Sequence, residues 1–131
     1  MNKKILTTLV VALLLVTTIL LIACAKIDND PNVQAKALEE KGCTVTVIDQ
    51  KQALQDQSDF LADKGIILIN DIRAILTIQK DGEEGYIYYL GSLSDAETLN
   101  DNLVFLGNYQ TAMQSTDIVY FGSKAIYDLM K

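Results

Sequence analysis

The chain changes character several times as apolar and polar positions are followed from its start. A basic opening at Lys3 and Lys4 gives way to Ile5–Ala23, a run of 19 residues with no charge. After Cys24 the pattern becomes that of a folded domain. Asp30-Pro31 predicts a helix start, with Asp as N-cap and Pro at the first helical position. Gly42 is placed to end that helix as its C′ residue. Cys43–Ile48 is β-branched and nearly alternating, which predicts a strand. Asp49 then caps a helix from Gln50 to about Lys64, with Ala53, Leu54, Phe60 and Leu61 as its apolar positions and Gly65 as its stop. Ile66–Ile69 can begin a strand, interrupted at Asn70-Asp71.

The clearest local signal is a hairpin. Two strand-like runs, Ile72–Gln79 and Tyr86–Leu90, flank Asp81-Gly82, a favoured turn pair. A two-residue turn sets Leu76 opposite Ile87 and Ala74 opposite Tyr89. One face then carries Ala74, Leu76, Ile78, Ile87 and Tyr89, and the other Arg73, Ile75, Thr77, Tyr86 and Tyr88. A longer loop that shifts the register by two keeps these faces. Ser94-Asp-Ala-Glu97 reads as a capping box, followed by an apolar stripe of Ala96, Leu99, Leu103 and Leu106. Gly107 ends that helix, unless it continues weakly to Gln114. Ile118–Phe121 is the last strand. Gly122-Ser123 leads into a terminal helix with Ile126, Leu129 and Met130 on its inner side.

After the opening helix the order is β, α, β, β, α, β and a short α, the split β-α-β order of ferredoxin-like folds. The expectation is an α+β domain: a four-stranded antiparallel sheet with helices on one face, preceded by a signal or anchor helix. Residues 1–23 form the leader, 24–29 a tether of roughly 20 Å at full stretch, and 30–131 a single domain. Such a fold hosts many unrelated functions.

The leader has the secretory order of basic start, apolar run and small residue, yet its run is also long enough to span a bilayer. Its ending separates these readings. Leu21-Ile22-Ala23-Cys24 resembles the lipobox of bacterial lipoproteins. The resemblance implies cleavage between Ala23 and Cys24 and a diacylglyceryl group on the Cys24 thiol. If the leader were retained as a helix, the positive-inside rule would place the domain on the same, extracytoplasmic side. Further stretches, Lys41–Val47, Ile87–Leu90 with Ser94–Glu97, and Val119–Ile126, look like small uncharacterised lipoproteins of Gram-positive bacteria. That resemblance implies an address at the cell membrane and brings no site residues.

Composition narrows the chemistry. The chain has 11 basic and 17 acidic residues and no histidine. Removing the leader takes away two lysines and leaves a net charge near −8, unsuited to nucleic acid, whose phosphates call for Lys and Arg. Arg73 is the sole arginine, so no guanidinium cluster exists. Without histidine, Ser-His-Asp and Cys-His catalysis and the commonest metal ligand are excluded. Asp28-Asn-Asp30-Pro-Asn32 with Glu39 brushes an EF-hand pattern, but Val33 stands where the loop needs glycine. Asp81-Gly-Glu-Glu84 reads as a solvated turn, and Asp56, Asp59 and Asp63 as a wet helix face. Cys43 reads as a small buried apolar residue. No cofactor or metal is expected.

Tyr86 and Tyr88, with Tyr120 and Tyr127, are the remaining candidates. If the helices cover the Ile87 side of the sheet, Tyr86 and Tyr88 stand on an open face suited to a protein or peptide partner. The expected function is therefore a lipid-anchored, non-enzymatic binding module. The alternatives are a small carboxylate-based hydrolase and a purely structural envelope lipoprotein.

Overall fold

A computed structural model describes residues 26–103 and 111–131, with only the backbone described for 111–115. Ala23, Cys24, the rest of the leader, Leu106 and Gly107 lie outside the described residues. Two helices on either side of the first strand end in the same way. Helix α1 (Pro31–Glu40) starts on Asp30, whose side chain accepts the Asn32 N–H. At its end Gly42 takes a φ of 89°, Gly42 N–H reaches Glu39 O and Cys43 N–H reaches Leu38 O. Helix α2 (Lys51–Asp63) repeats the device at Gly65, with Ile66 N–H on Leu61 O. In each Schellman motif the last donor belongs to an apolar residue, Cys43 or Ile66, that the turn drives into the core.

The sheet contains strands β1 (Thr44–Ile48), β2 (Ala74–Lys80), β3 (Glu83–Tyr89), β4 (Thr111–Ser115) and β5 (Ile118–Gly122), all antiparallel and ordered β1-β2-β3-β5-β4. The β2–β3 register places Leu76 opposite Ile87 and Ala74 opposite Tyr89, as the turn chemistry predicts. Asp81 and Gly82 both have positive φ, 51° and 80°, the type I′ signature that matches strand twist. The α+β class and the antiparallel sheet agree with expectation. The four expected strands are joined at one edge by β4, drawn from the stretch around Gln114 that had the option of extending a helix.

The strand order differs from the split β-α-β order. There β3 would lie between β1 and β2, whereas here β1 pairs directly with β2, from Thr44 opposite Gln79 to Ile48 opposite Ile75. The segment between Gly65 and Arg73 explains the change. It leads back along α2, so that Asp71 and Ile72 end beside Lys51 and Leu54, lining a cavity of about 200 Å³. The chain thus enters β2 at the end where it left β1, and the two strands run antiparallel.

Helices also cover both faces rather than one. Helix α1 and helix α4 (Lys124–Asp128) bury Ala35, Leu38, Ile126 and Met130 against Leu76, Ile78, Ile87, Tyr89 and Tyr120. On the opposite side α2 and α3 (Leu93–Asn102) bury Leu54, Leu61, Ala96, Leu99 and Leu103 against Ile75, Tyr88, Val119 and Phe121. Strand β5 shows the reason, since all five of its residues are buried. A continuous apolar run of this kind needs cover on both sides.

Two boundaries move. The N-cap of α3 is Ser92 and not Ser94, accepting from Asp95 N–H. Gln50, with no side-chain bond, caps α2 in place of Asp49. The expected tether also docks on the body from Lys26 onward. Lys26 N–H donates to Met130 O, Ile27 packs against the core, and Asp28 O accepts the Tyr89 hydroxyl at 2.8 Å.

Candidate interaction surface

The segment after α2 alternates strictly, although among the described residues it pairs with no strand. Ile66 is 1% exposed and Leu68 packs on the core, while Ile67 and Ile69 are 72% and 81% exposed. This is the period-two pattern of extended chain, with its outward apolar residues left in water.

Hydrogen bonds hold the segment to the start of α3. The Asp95 carboxylate, fully buried, accepts Ile69 N–H on Oδ1 and Asn70 N–H on Oδ2, both at 2.8 Å. The Asn70 amide reaches back to Ser92 Oγ at 3.2 Å and Asp95 Oδ2 at 3.3 Å. Gly91 permits the approach, because a Cβ there would stand 2.6 Å from Asn70 Cβ. Through Asp95, the exposed Ile69 is tied to the first turn of α3, where Leu93 is also exposed. Phe60, on the last turns of α2, is exposed beneath the Lys64 ammonium, 5.6 Å from its ring centroid. Ile66–Ile69, expected to begin a strand, instead forms this unpaired extended segment among the described residues. The usable signal was an apolar run too short for a helix and with no pairing partner nearby.

The tyrosine expectation fares differently at its two positions. Tyr88 is buried beneath α2 and α3, its ring 5.2 Å from that of Phe121. Tyr86 is half-buried, stacked on Phe121 at 5.3 Å, and its hydroxyl donates to Glu84 Oε2 at 3.0 Å. The premise that this face lacks helices is corrected: α2 and α3 occupy it. On the same face Thr46, Thr77 and Tyr86 lie in register across three strands, Thr46 exposed and the other two half-buried. Beside them, Thr44, Gln79 and Glu84 help line an open groove of about 400 Å³ reaching Gly42 and the Asp81-Gly82 turn. Tyr120 is buried with its hydroxyl donating to Ser123 O, and Tyr127 is half-buried against it at 5.8 Å.

Four of the acidic candidates are engaged locally. Asp56 and Asp59 accept from the side chains of Gln52 and Gln55 at 2.8 and 2.9 Å. Asp28 and Asp30 cap backbone N–H groups of Asp30 and Asn32. Among the described residues no group of three or more Cys, Asp or Glu side chains is placed to hold a metal ion. Cys43 is buried, and burial pushes its thiol pKa up, against the opposing pull of Lys80 and Lys41. Among the described residues no helix is long and apolar enough to cross a membrane. In comparisons with known proteins, no family model, curated protein or solved structure matches the chain.

Proposed function

We propose that this chain is an extracytoplasmic lipoprotein, cleaved after Ala23 and anchored to the cell membrane by lipid on Cys24. Its folded part acts as a non-enzymatic module that binds a protein or peptide through Ile67, Ile69 and Leu93. One observation carries the binding reading: Ile67 and Ile69 are the most exposed of the large apolar residues described, and the buried Asp95 carboxylate fixes their segment through the N–H groups of Ile69 and Asn70. Single exposed apolar residues need no explanation, but several grouped on a fixed backbone resemble an interaction site. Holding the loop in advance lowers the ordering entropy a partner must overcome. The lipid anchor rests on the lipobox resemblance at Leu21–Cys24.

The test is crosslinking in intact bacterial membranes followed by capture of the lipidated protein. Ile67→Ser with Ile69→Ser should leave stability nearly unchanged, because both side chains already face water, and should lose the crosslinked species. Capture that is unchanged in this variant, or absent from the parent, sinks the binding reading. Cys24→Ala should abolish lipid labelling, and an intact mass that retains Met1–Ala23 removes the anchor.

A further inference from the structure

We infer that the face of the domain formed by α4 and the chain entry at Lys26 rests against the phospholipid headgroups, with α2 and α3 on the far side of the sheet. This rests on the lipid-anchor reading and adds an orientation to it. Lys26 N–H is bonded to Met130 O at 2.8 Å, so the chain is tied to the domain body at residue 26. Cys24 stands two residues earlier, and two residues of chain extend at most about 7 Å. An acyl-bearing cysteine so close to Met130 leaves no slack for the domain to turn over.

The surface at that corner suits a headgroup layer. Lys26 and Lys131 are exposed, and the Lys131 ammonium lies 5.2 Å over the half-buried Tyr127 ring. Lys41 Nζ donates to Leu129 O, and Lys80 Nζ donates to Lys41 O at 2.8 Å. Four lysines therefore gather around the turn from Leu129 to Lys131. Lysine and tyrosine together are the residues that sit where an apolar body meets a wet, polar layer. Acidic groups share the corner: Asp128 pairs with Lys131 at 2.9 Å, and Asp81 and Glu83 line the cavity beside Leu129. The orientation therefore comes from tether length, with the lysines offsetting neighbouring acids. The arrangement also holds Phe60, Ile67 and Ile69, which belong to the opposite layer, away from the bilayer.

The chain contains no tryptophan, so one introduced indole reports its own surroundings. Tyr127→Trp and Phe60→Trp are aromatic replacements on opposite layers. Each full-length variant would be expressed, checked by intact mass for lipid on Cys24, and reconstituted in phosphatidylcholine–phosphatidylglycerol vesicles brominated high on the acyl chains. Emission at position 127 should be quenched several-fold more than emission at 60, and the dissolved quencher acrylamide should show the reverse order. A lipidated protein with equal quenching, or with stronger quenching at 60, overturns the orientation while leaving the anchor intact. A chain that carries no lipid overturns both.

Discussion

Asp95 Oδ2 accepts the backbone N–H of Asn70 at 2.8 Å and its side-chain amide at 3.3 Å, across 25 residues of sequence. The other carboxylate oxygen takes Ile69 N–H. Asp95 lies at the third position of α3, where a capping box would have its side chain turn back to the N-cap. Instead it satisfies a loop that has no strand partner among the described residues. Asp95→Ala removes the acceptor of two part-buried backbone donors and should cost about 1–3 kcal/mol in total, the net worth of hydrogen bonds to a charged group that water can partly replace. Amide hydrogen exchange at Ile69 and Asn70 should rise further than the global loss of stability explains. Unchanged protection at those amides would show that the carboxylate does not hold the loop.

The two neighbouring tyrosines of β3 should separate sharply. Tyr88→Ala removes a buried ring from the layer under α2 and α3, and should cost roughly 3–5 kcal/mol. Tyr86 is half-buried, so Tyr86→Ala should cost about 1–2 kcal/mol. Denaturant unfolding of the two single variants decides the matter. Equal costs would mean that the helices do not cover this face as described.

Legibility in the sequence followed the range of the interactions involved. The Asp81-Gly82 turn is local chemistry, and it set the β2–β3 register and both face assignments. Asp30-Pro31, Gly42 and Gly65 likewise mark helix ends through backbone needs satisfied within a few residues. The strand order was hidden because it depends on the extended return after Gly65, whose acceptor is Asp95, far along the chain. The cover over Tyr88 was hidden for a related reason. Alternation assigns a residue to a face but does not say which face is dry. Ile118-Val-Tyr-Phe121 carried a hint, since apolar residues at successive positions demand shelter on both sides. Ile67 and Ile69 were missed because an apolar run reads as a strand until its lack of a partner is seen.

The α3 stripe offers a direct check on packing. Leu99 and Leu103 are 0% and 3% exposed, in one cluster with Ala96, Val119 and Phe121. Leu103→Ala should cost roughly 2–5 kcal/mol, the range for buried leucine truncation. That is a large share of the roughly 5–15 kcal/mol that a small domain possesses. Loss of less than about 0.5 kcal/mol in equilibrium unfolding would place this helix away from the sheet.

Two buried phenols make the domain sensitive to alkali. Burial pushes the pKa of Tyr89 and of Tyr120 well above the ordinary tyrosine value; for Tyr89, Asp28 pushes the same way and Arg73 opposes. Unfolded, both would titrate near about 10. Above that pH the unfolded chain releases protons that the folded one keeps, so rising pH favours unfolding. Their contribution is therefore intact below about pH 10 and is lost as pH climbs towards the folded values. Cys43, also raised by burial, acts in the same direction from its lower starting point. Each phenol adds at most about 1.4 kcal/mol per pH unit to the decline. Tyr120→Phe should lower stability at neutral pH, because the bond to Ser123 O is lost, while making the alkaline decline shallower. Urea titrations at several pH values separate level from slope. A Tyr120→Phe variant with an unchanged slope would show that this phenol does not carry the alkaline sensitivity.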